Sequence, residues 1–379
     1  MVMALISTVS LGMSFSATRF MVKPAASLTL VKPPSTKSIH TTSIRCTSND
    51  TALVSRGDAC VDDKSIVRRS GNYPPPIWDD DFVQSLDSDF KMTTDIGTSL
   101  TGKCRGFQWI FERIRWWKSI QWAEKLSFAR PRLIECFYWS VGYNFEPEFQ
   151  YARSVLTAVN AFITTIDDIY DVYGTLEELE LLTKLTKSWD AAELDQLPDF
   201  MKICFTDFYN KINEVANVFQ REHGVSVLPY FQKVASAVLL THLYFVKPNS
   251  LKHEDLQCLM TYPNILRHSA TILRLADDMG TSSHEMERGD NPKSIQCYMN
   301  DKGVSEDKAK EHIKYLLTET WKKLNEECAE SPLSKPFIEN CLNLARIASC
   351  VYLYGDGHGA PSSRDKERLL FLFVHPIPL

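Results

Sequence analysis

An all-α bundle is the fold class this sequence predicts, and three observations predict it. Apolar residues recur at helical spacing over most of the chain after Phe107. No stretch alternates convincingly with a period of two. Glycine is sparse, at 15 in 379 residues, and no internal repeat divides the pattern.

Two different kinds of sequence precede the bundle. Before Asp50 there is no acidic residue at all, against 16 Ser and Thr and 5 Lys and Arg. That is the composition of an organelle transit peptide, and plastid import with cleavage around 45–60 is expected. A secretory signal fits less well, because the first basic residue is Arg19 and the Ser/Thr-rich stretch runs on well past it. From Asp58 to Gly102 the chain is polar and poorly periodic, and Pro74, Pro75 and Pro76 forbid a helix, so an extended arm is predicted. The resulting division is a transit segment (1–57), an arm (58–105) and a helical domain (106–379).

Helices are expected at 107–125, 132–143, 147–173 and 176–188. Gly174 is read as the stop of the third, and Thr175 with Glu178 as a capping box that starts the fourth. Further helices are expected at 199–222, 229–245, 253–260 and 264–286. Pro292 is placed at the first position of another, capped by Asn291. Helices at 305–328 and 335–353 complete the set.

Two of these helices carry carboxylates on otherwise apolar faces. In AFITTIDDIYDVYGTLEE, Asp167, Asp168 and Asp171 crowd a helix end where the macrodipole already disfavours negative charge. Spacings of three and four place Asn160, Thr164, Asp167 or Asp168, and Asp171 along one face. In NILRHSATILRLADDMGTSSHEMERGD, Asp277, Thr281 and Glu285 recur every four residues, with Arg274 one turn earlier. Each set also reads as an ordinary solvated helix surface. Both are all-oxygen donor sets, however, and such sets suit Mg²⁺ or Mn²⁺. Magnesium is typically held by a few carboxylates plus substrate phosphate oxygens, so two acidic helices suggest a metal cluster gripping a diphosphate.

The pair resembles the aspartate-rich motif and the second metal motif of class I terpene synthases. More narrowly, the chain resembles angiosperm monoterpene synthases of plastids. Arg68 and Arg69 followed by eight residues and Trp78 are similar to the tandem-arginine motif of that subfamily, and Arg130 and Arg132 to its paired arginines. CVYLYGDGHG and the closing FVHPIPL also look like family C-termini. The likeness runs almost continuously from Trp116 to Leu379, with a separate patch around 68–86. Met279 departs from it, where the family usually has a branched aliphatic residue.

The resemblance implies a helical bundle that ionises an allylic diphosphate, most simply geranyl diphosphate, with metal ions and arginines stabilising the departing diphosphate. The implied metal ligands are Asp167, Asp171, Asp277, Thr281 and Glu285, with Asp168 ligating or orienting beside them. Arg130, Arg132 and Arg274 are the implied diphosphate donors, Lys293 a further one, and the Arg68–Arg69 arm is expected to fold over the mouth and help hold the diphosphate. A carbocation needs a dry, aromatic-lined pocket, for which Trp139 and Tyr354 are candidates; each also fits ordinary core packing.

The chain is shorter than that family's pattern in two places. About thirty residues, from Asp79 to Phe107, stand where the family carries a helical domain, and Val234 runs straight into Ala235 where another helical stretch is expected. A non-catalytic remnant is therefore an alternative to an active lyase. A chain-elongating prenyltransferase is less favoured, because Thr281 and Glu285 depart from a second aspartate-rich cluster of the first type.

Composition sets the outer bounds. At 44% hydrophobic residues and a net charge of −5, the chain can bury a sizeable core and gives no reason to expect a nucleic-acid partner. Ten cysteines lie scattered from Cys46 to Cys350 without zinc-like spacing, and read as thiols in a reducing compartment. No apolar run reaches the roughly 18 residues of a membrane span. A monomer is expected.

Overall fold

The computed structural model describes residues 66–78, 116–224, 226, 228, 263–290 and 292–373. The helices expected at 229–245 and 253–260, the transit segment, most of the arm and the Val234–Ala235 junction lie outside them, as does Asn291.

Among the described residues the bundle is built from α1 (Leu133–Tyr143), α2 (Gln150–Asp168), α3 (Leu176–Ser188), α4 (Asp199–His223), α5 (Asn264–Arg288), α6 (Ser294–Lys302), α7 (Glu306–Glu330), α8 (Lys335–Val351) and α9 (Ser363–Phe373). The first expected helix is broken. Gln121 takes a left-handed conformation (φ 56°), and only the turn Trp122–Lys125 follows it. Among the described residues no helix is long and apolar enough to cross a membrane.

Apolar periodicity explains how these helices pack. The inward faces of α1, α2, α4, α5, α7 and α8 meet in one core that includes Trp139, Leu156, Phe219, Leu273 and Leu344. A second core joins the outer side of α2 to α3, α4 and the Trp117–Leu126 segment through Phe162, Leu182, Leu185 and Met201. So α2 is buried on two sides. Met279, the departure from the family pattern, packs beside Leu275 and Ile295 away from the site.

The arm is extended, as the prolines require, and it is tied to the bundle along its length. Arg68 forks onto Glu178 (2.7 and 2.8 Å) and donates to the Tyr173 carbonyl (3.1 Å). Arg132 donates to the Pro74 carbonyl (2.8 Å), Lys366 to that of Ile77 (2.7 Å), and the Trp78 indole to buried Glu135 (2.9 Å). Trp78 also packs with Ile134, Phe137 and Leu369, so α9 and the arm share one face of α1.

Three helix ends are decided by contacts. First, Gly174 stops the helical run as expected, in an extended conformation (φ −78°, ψ 145°). Before it α2 runs into a wide π-helical turn, Ile169–Tyr173, and the Gly174 N–H reaches the Ile169 carbonyl (2.8 Å). A Cβ at Gly174 would lie 2.8 Å from a Leu179 methyl, so close approach is what calls for glycine there. Second, Pro292 precedes α6 rather than opening it: the Ser294 N–H is held by Asp278 (3.0 Å), and that bond sets the start. Third, α9 was not expected. Its signal is a capping box, with the Ser362 N–H bonded to Asp365 Oδ2 (2.9 Å) and the Asp365 N–H to Ser362 Oγ (3.4 Å).

The Thr175–Glu178 capping box is present, and Glu178 also receives Arg68. Thr175→Ala should therefore cost about 1 kcal/mol. Glu178→Ala should cost more, because it also releases the arm's guanidinium. Urea denaturation of the two variants checks the order; equal losses would mean that the arm contributes nothing at this point.

Candidate active site

The two acidic helices face each other across a cavity. From α2 and the turn after it, Asn160, Thr164, Asp167 and Asp171 line one wall; from α5, Arg274, Asp277, Thr281, Glu285 and Arg288 line the other. The choice left open by spacing is thereby made. Asp167 faces the cavity, while Asp168, one position on, does not line it and is 1% exposed. The π-helical turn is wide enough to keep Asp171 in line with Asp167.

Asp168 instead holds Arg130. Its two oxygens take Arg130 Nη2 (2.5 Å) and Nε (3.1 Å), and the Arg130 backbone N–H closes on the same carboxylate (3.2 Å). Arg130 thus reaches the cavity with its charge already paired on the far side. On α5 the same device recurs. Arg274 lies 3.3 Å from Asp277 and pairs with Asp278, which does not line the cavity and also caps α6. The left-handed Gly289 (φ 75°) ends α5 and turns the chain, and Lys293 returns to lie 3.4 Å from Glu285.

Burial governs the electrostatics. Removal from water raises the Asp167 carboxyl to about 6, with Asp171 and Asp168 adding like charge. It raises Asp277 to about 7, Arg274 opposing and Glu285 and Asp278 reinforcing. Glu285 is also raised by burial, against Lys293 and Arg274. Lys293 loses to desolvation and to Arg274, yet it ends above the usual lysine value because Glu285, Asp171 and Asp277 outweigh both.

Several expected residues stand elsewhere. Arg132 is 2% exposed and does not line the cavity; its Nε and Nη2 donate to the Gly359 carbonyl (3.2 and 2.8 Å), tying the loop after α8 to the arm. Arg68 is spent on Glu178, and Arg69 reaches the Asp171 carbonyl (3.4 Å), the Arg288 carbonyl (3.2 Å) and Asp290 (3.1 Å). Arg69 therefore bridges the ends of the two acidic helices from outside. Trp139 does line the cavity. Tyr354 is corrected: it is 52% exposed and lies under Arg364 (4.1 Å), because α8 ends at Val351 and the turn that follows swings it outward. Tyr352, edge-on to Trp139 at 5.9 Å, takes the lining position.

Tyr73, Arg288, Tyr352, Asp356 and His358 line the cavity and were not anticipated. The last three follow α8 in CVYLYGDGHG, where phenol, carboxylate and imidazole fall within two turns of chain. His358 bonds Thr164 Oγ1 through Nε2 (2.8 Å), and burial with Arg130 nearby lowers it to about 3, so it is a neutral imidazole.

Residues 118–238 and 233–323 match the family described as "Terpene synthase family, metal binding domain". The chain belongs to the terpene synthase family. The two matched segments meet at 233–238, where Val234 runs into Ala235. Among curated relatives, the chain is 46% identical over 299 residues to the myrcene synthase, chloroplastic, of Quercus ilex, covering 70% of this chain and 50% of that one. Among solved structures it is similar to a limonene synthase with 2-fluorolinalyl diphosphate (TM-score 0.69, 37% identity, 73% of this chain and 57% of that one). It is also similar to isoprene synthase of Populus x canescens with three Mg²⁺ ions and dimethylallyl-S-thiolodiphosphate (TM-score 0.66, 34% identity, 78% and 65%). The chain spans about half the length of the curated relatives it matches.

The donor chemistry fits Mg²⁺. Glu285 Oε2 is buried and accepts no hydrogen bond, and every side-chain donor on the two motif faces is oxygen. Among the described residues, no three His, Cys, Asp or Glu side chains converge on one point. A cation held here completes its shell with ligand and water oxygens, which is the habit of magnesium. The cavity itself holds about 100 Å³, below the roughly 300–1,000 Å³ of pockets that enclose whole ligands. What these residues form is an ion-lined mouth.

The raised carboxyls give a pH signature. Folding lifts Asp167 and Asp277 from 3.8 to about 6 and about 7, so in that window the folded protein binds more protons than the unfolded one. These two groups thus favour the metal-free fold most at low pH, and the advantage is lost as pH rises to about 7. Mg²⁺ with inorganic pyrophosphate should raise the melting temperature by several degrees at about pH 8 and by much less at about pH 5.5, where protons occupy the ligand oxygens. Thermal scans at both pH values check this, and an equal gain at both would exclude Asp167 and Asp277 as ligands.

Proposed function

We propose that this chain is a Mg²⁺-dependent terpene synthase of the plastid that ionises geranyl diphosphate and releases a monoterpene and diphosphate. The observation that carries this reading is the cavity wall. It joins carboxylates from two helices to Arg130, Arg274 and Lys293 within one mouth. Relatives named as monoterpene-forming, chloroplastic enzymes support the ten-carbon substrate and the compartment, and so does the composition of residues 1–49.

In this reading Asp167, Asp171, Asp277, Thr281 and Glu285 hold the metal, and Asp168 positions Arg130 rather than ligating. When bound, magnesium supplies Lewis-acid stabilisation of the charge that develops on the diphosphate. Arg130, Arg274 and Lys293 present fixed donors to the same oxygens. Arg132 acts from behind by locking Gly359 and Pro74 together, which keeps the loop after α8 over the site. Arg69 draws the C-terminal ends of the two acidic helices toward each other. Trp139 and Tyr352 turn aromatic surface toward the cavity, where a quadrupole stabilises positive charge without attacking it.

The small cavity and the break in the family match favour a second reading, a chain that binds metal and diphosphate without turning over. The test is incubation of the full chain with geranyl diphosphate and Mg²⁺, with the volatile extract read by gas chromatography and mass spectrometry. A metal-dependent ten-carbon hydrocarbon or alcohol is expected. Asp167→Ala and Asp277→Ala should each abolish it while retaining the parent's circular dichroism. Product formed at the parent rate by either variant would remove that residue from the metal set. Pyrophosphate binding without product would establish the second reading.

A further inference from the structure

The arm brings a side chain into the cavity that neither the sequence motifs nor the metal set accounts for. Tyr73 lines the mouth, and its ring packs against two guanidiniums, 4.1 Å from that of Arg130 and 5.0 Å from that of Arg288. Both arginines line the same cavity. Two like charges brought together in a desolvated mouth repel one another unless something negative lies against them. The face of an aromatic ring is such a group, and it attracts a cation. Each arginine also has one carboxylate behind it: Asp168 for Arg130, and Asp290 for Arg288 (2.9 Å). The ring therefore fixes where the two guanidiniums stand without using up their outward charge. Its own place is set by the arm, through the Pro74 carbonyl that Arg132 holds and through Gly71, where a Cβ would lie 2.5 Å from the ring.

We propose that Tyr73 is a positioning residue that seats Arg130 and Arg288 as a paired clamp for the diphosphate, so that the clamp is complete only when the arm is docked. The inference deepens the diphosphate-binding reading above and rests on it. It adds Arg288 to the groups that meet the anion. It also gives the arm a task beyond covering the mouth, since arm docking and anion binding become thermodynamically linked, each favouring the other.

The test is calorimetric titration of the full chain with inorganic pyrophosphate in the presence of Mg²⁺. Tyr73→Leu should weaken binding about tenfold, whereas Tyr73→Phe, which keeps the ring and loses only the hydroxyl's hydrogen bond to Asp168, should weaken it much less. Arg288→Leu should also weaken binding, and the double variant should lose clearly less than the product of the two single losses. Unchanged melting temperatures of the metal-free variants would separate positioning from a general loss of structure. A second measurement needs no variant: Mg²⁺ with pyrophosphate should slow tryptic cleavage after Arg68 and Arg69 in the parent, read by mass spectrometry. Parental affinity in Tyr73→Leu, a fully multiplicative double variant, or cleavage unaffected by ligand would each overturn the inference and leave the metal site standing. No pyrophosphate binding by the parent would overturn both.

Discussion

Asp167 and Asp277 are carboxylates carried into a desolvated space on the inward faces of two packed helices, and each is raised well above the ordinary carboxyl range for that reason. Such placement is costly without a counter-charge. Much of the surrounding structure consists of partners for charge: Arg274 beside Asp277, Lys293 beside Glu285, Arg130 against Asp168. In the proposed function a divalent cation would offset the raised carboxylates, and a diphosphate would meet the arginines and the lysine.

The second role of these pairs is mechanical. Asp168 and Asp278 are each the neighbour of a cavity-facing aspartate, each turns away, and each holds an arginine that faces in. Adjacent residues on a helix point about 100° apart, so a doubled aspartate supplies one group for the cavity and one for its support. Asp278 goes further by capping α6, which carries Lys293 at its start. The arm closes the arrangement from outside, because Arg69 spans the carbonyls at the ends of both acidic segments.

Much of this was legible in the sequence. The helical periods, the capping box at Thr175 and the two acidic faces are local features, dictated by residue spacing within a turn or two, and they stand where spacing put them. The helix ends were less legible. Gly174 stops the helical run, but a π-helical turn and the nearby Leu179 decide its extended conformation, which spacing does not show. The capping box at Ser362 and Asp365 marked α9 in plain sight, yet the segment is short and its apolar face has meaning only against Ile134, Phe137 and Trp78.

By itself the sequence determined the class of fold, the family, and which helices carry oxygen donors, because these follow from short-range pattern and from motif. Tertiary structure alone decided that Asp167 faces the cavity while Asp168 supports Arg130, that Arg132 binds carbonyls rather than the mouth, and that Tyr352 lines the site while Tyr354 does not. It also brought Tyr73 against Arg130 and Arg288, residues 57 and 215 positions away. Direction within a turn depends on what packs against the helix, and a contact between distant segments has no local signature. The spacing of residues along one helix cannot carry either.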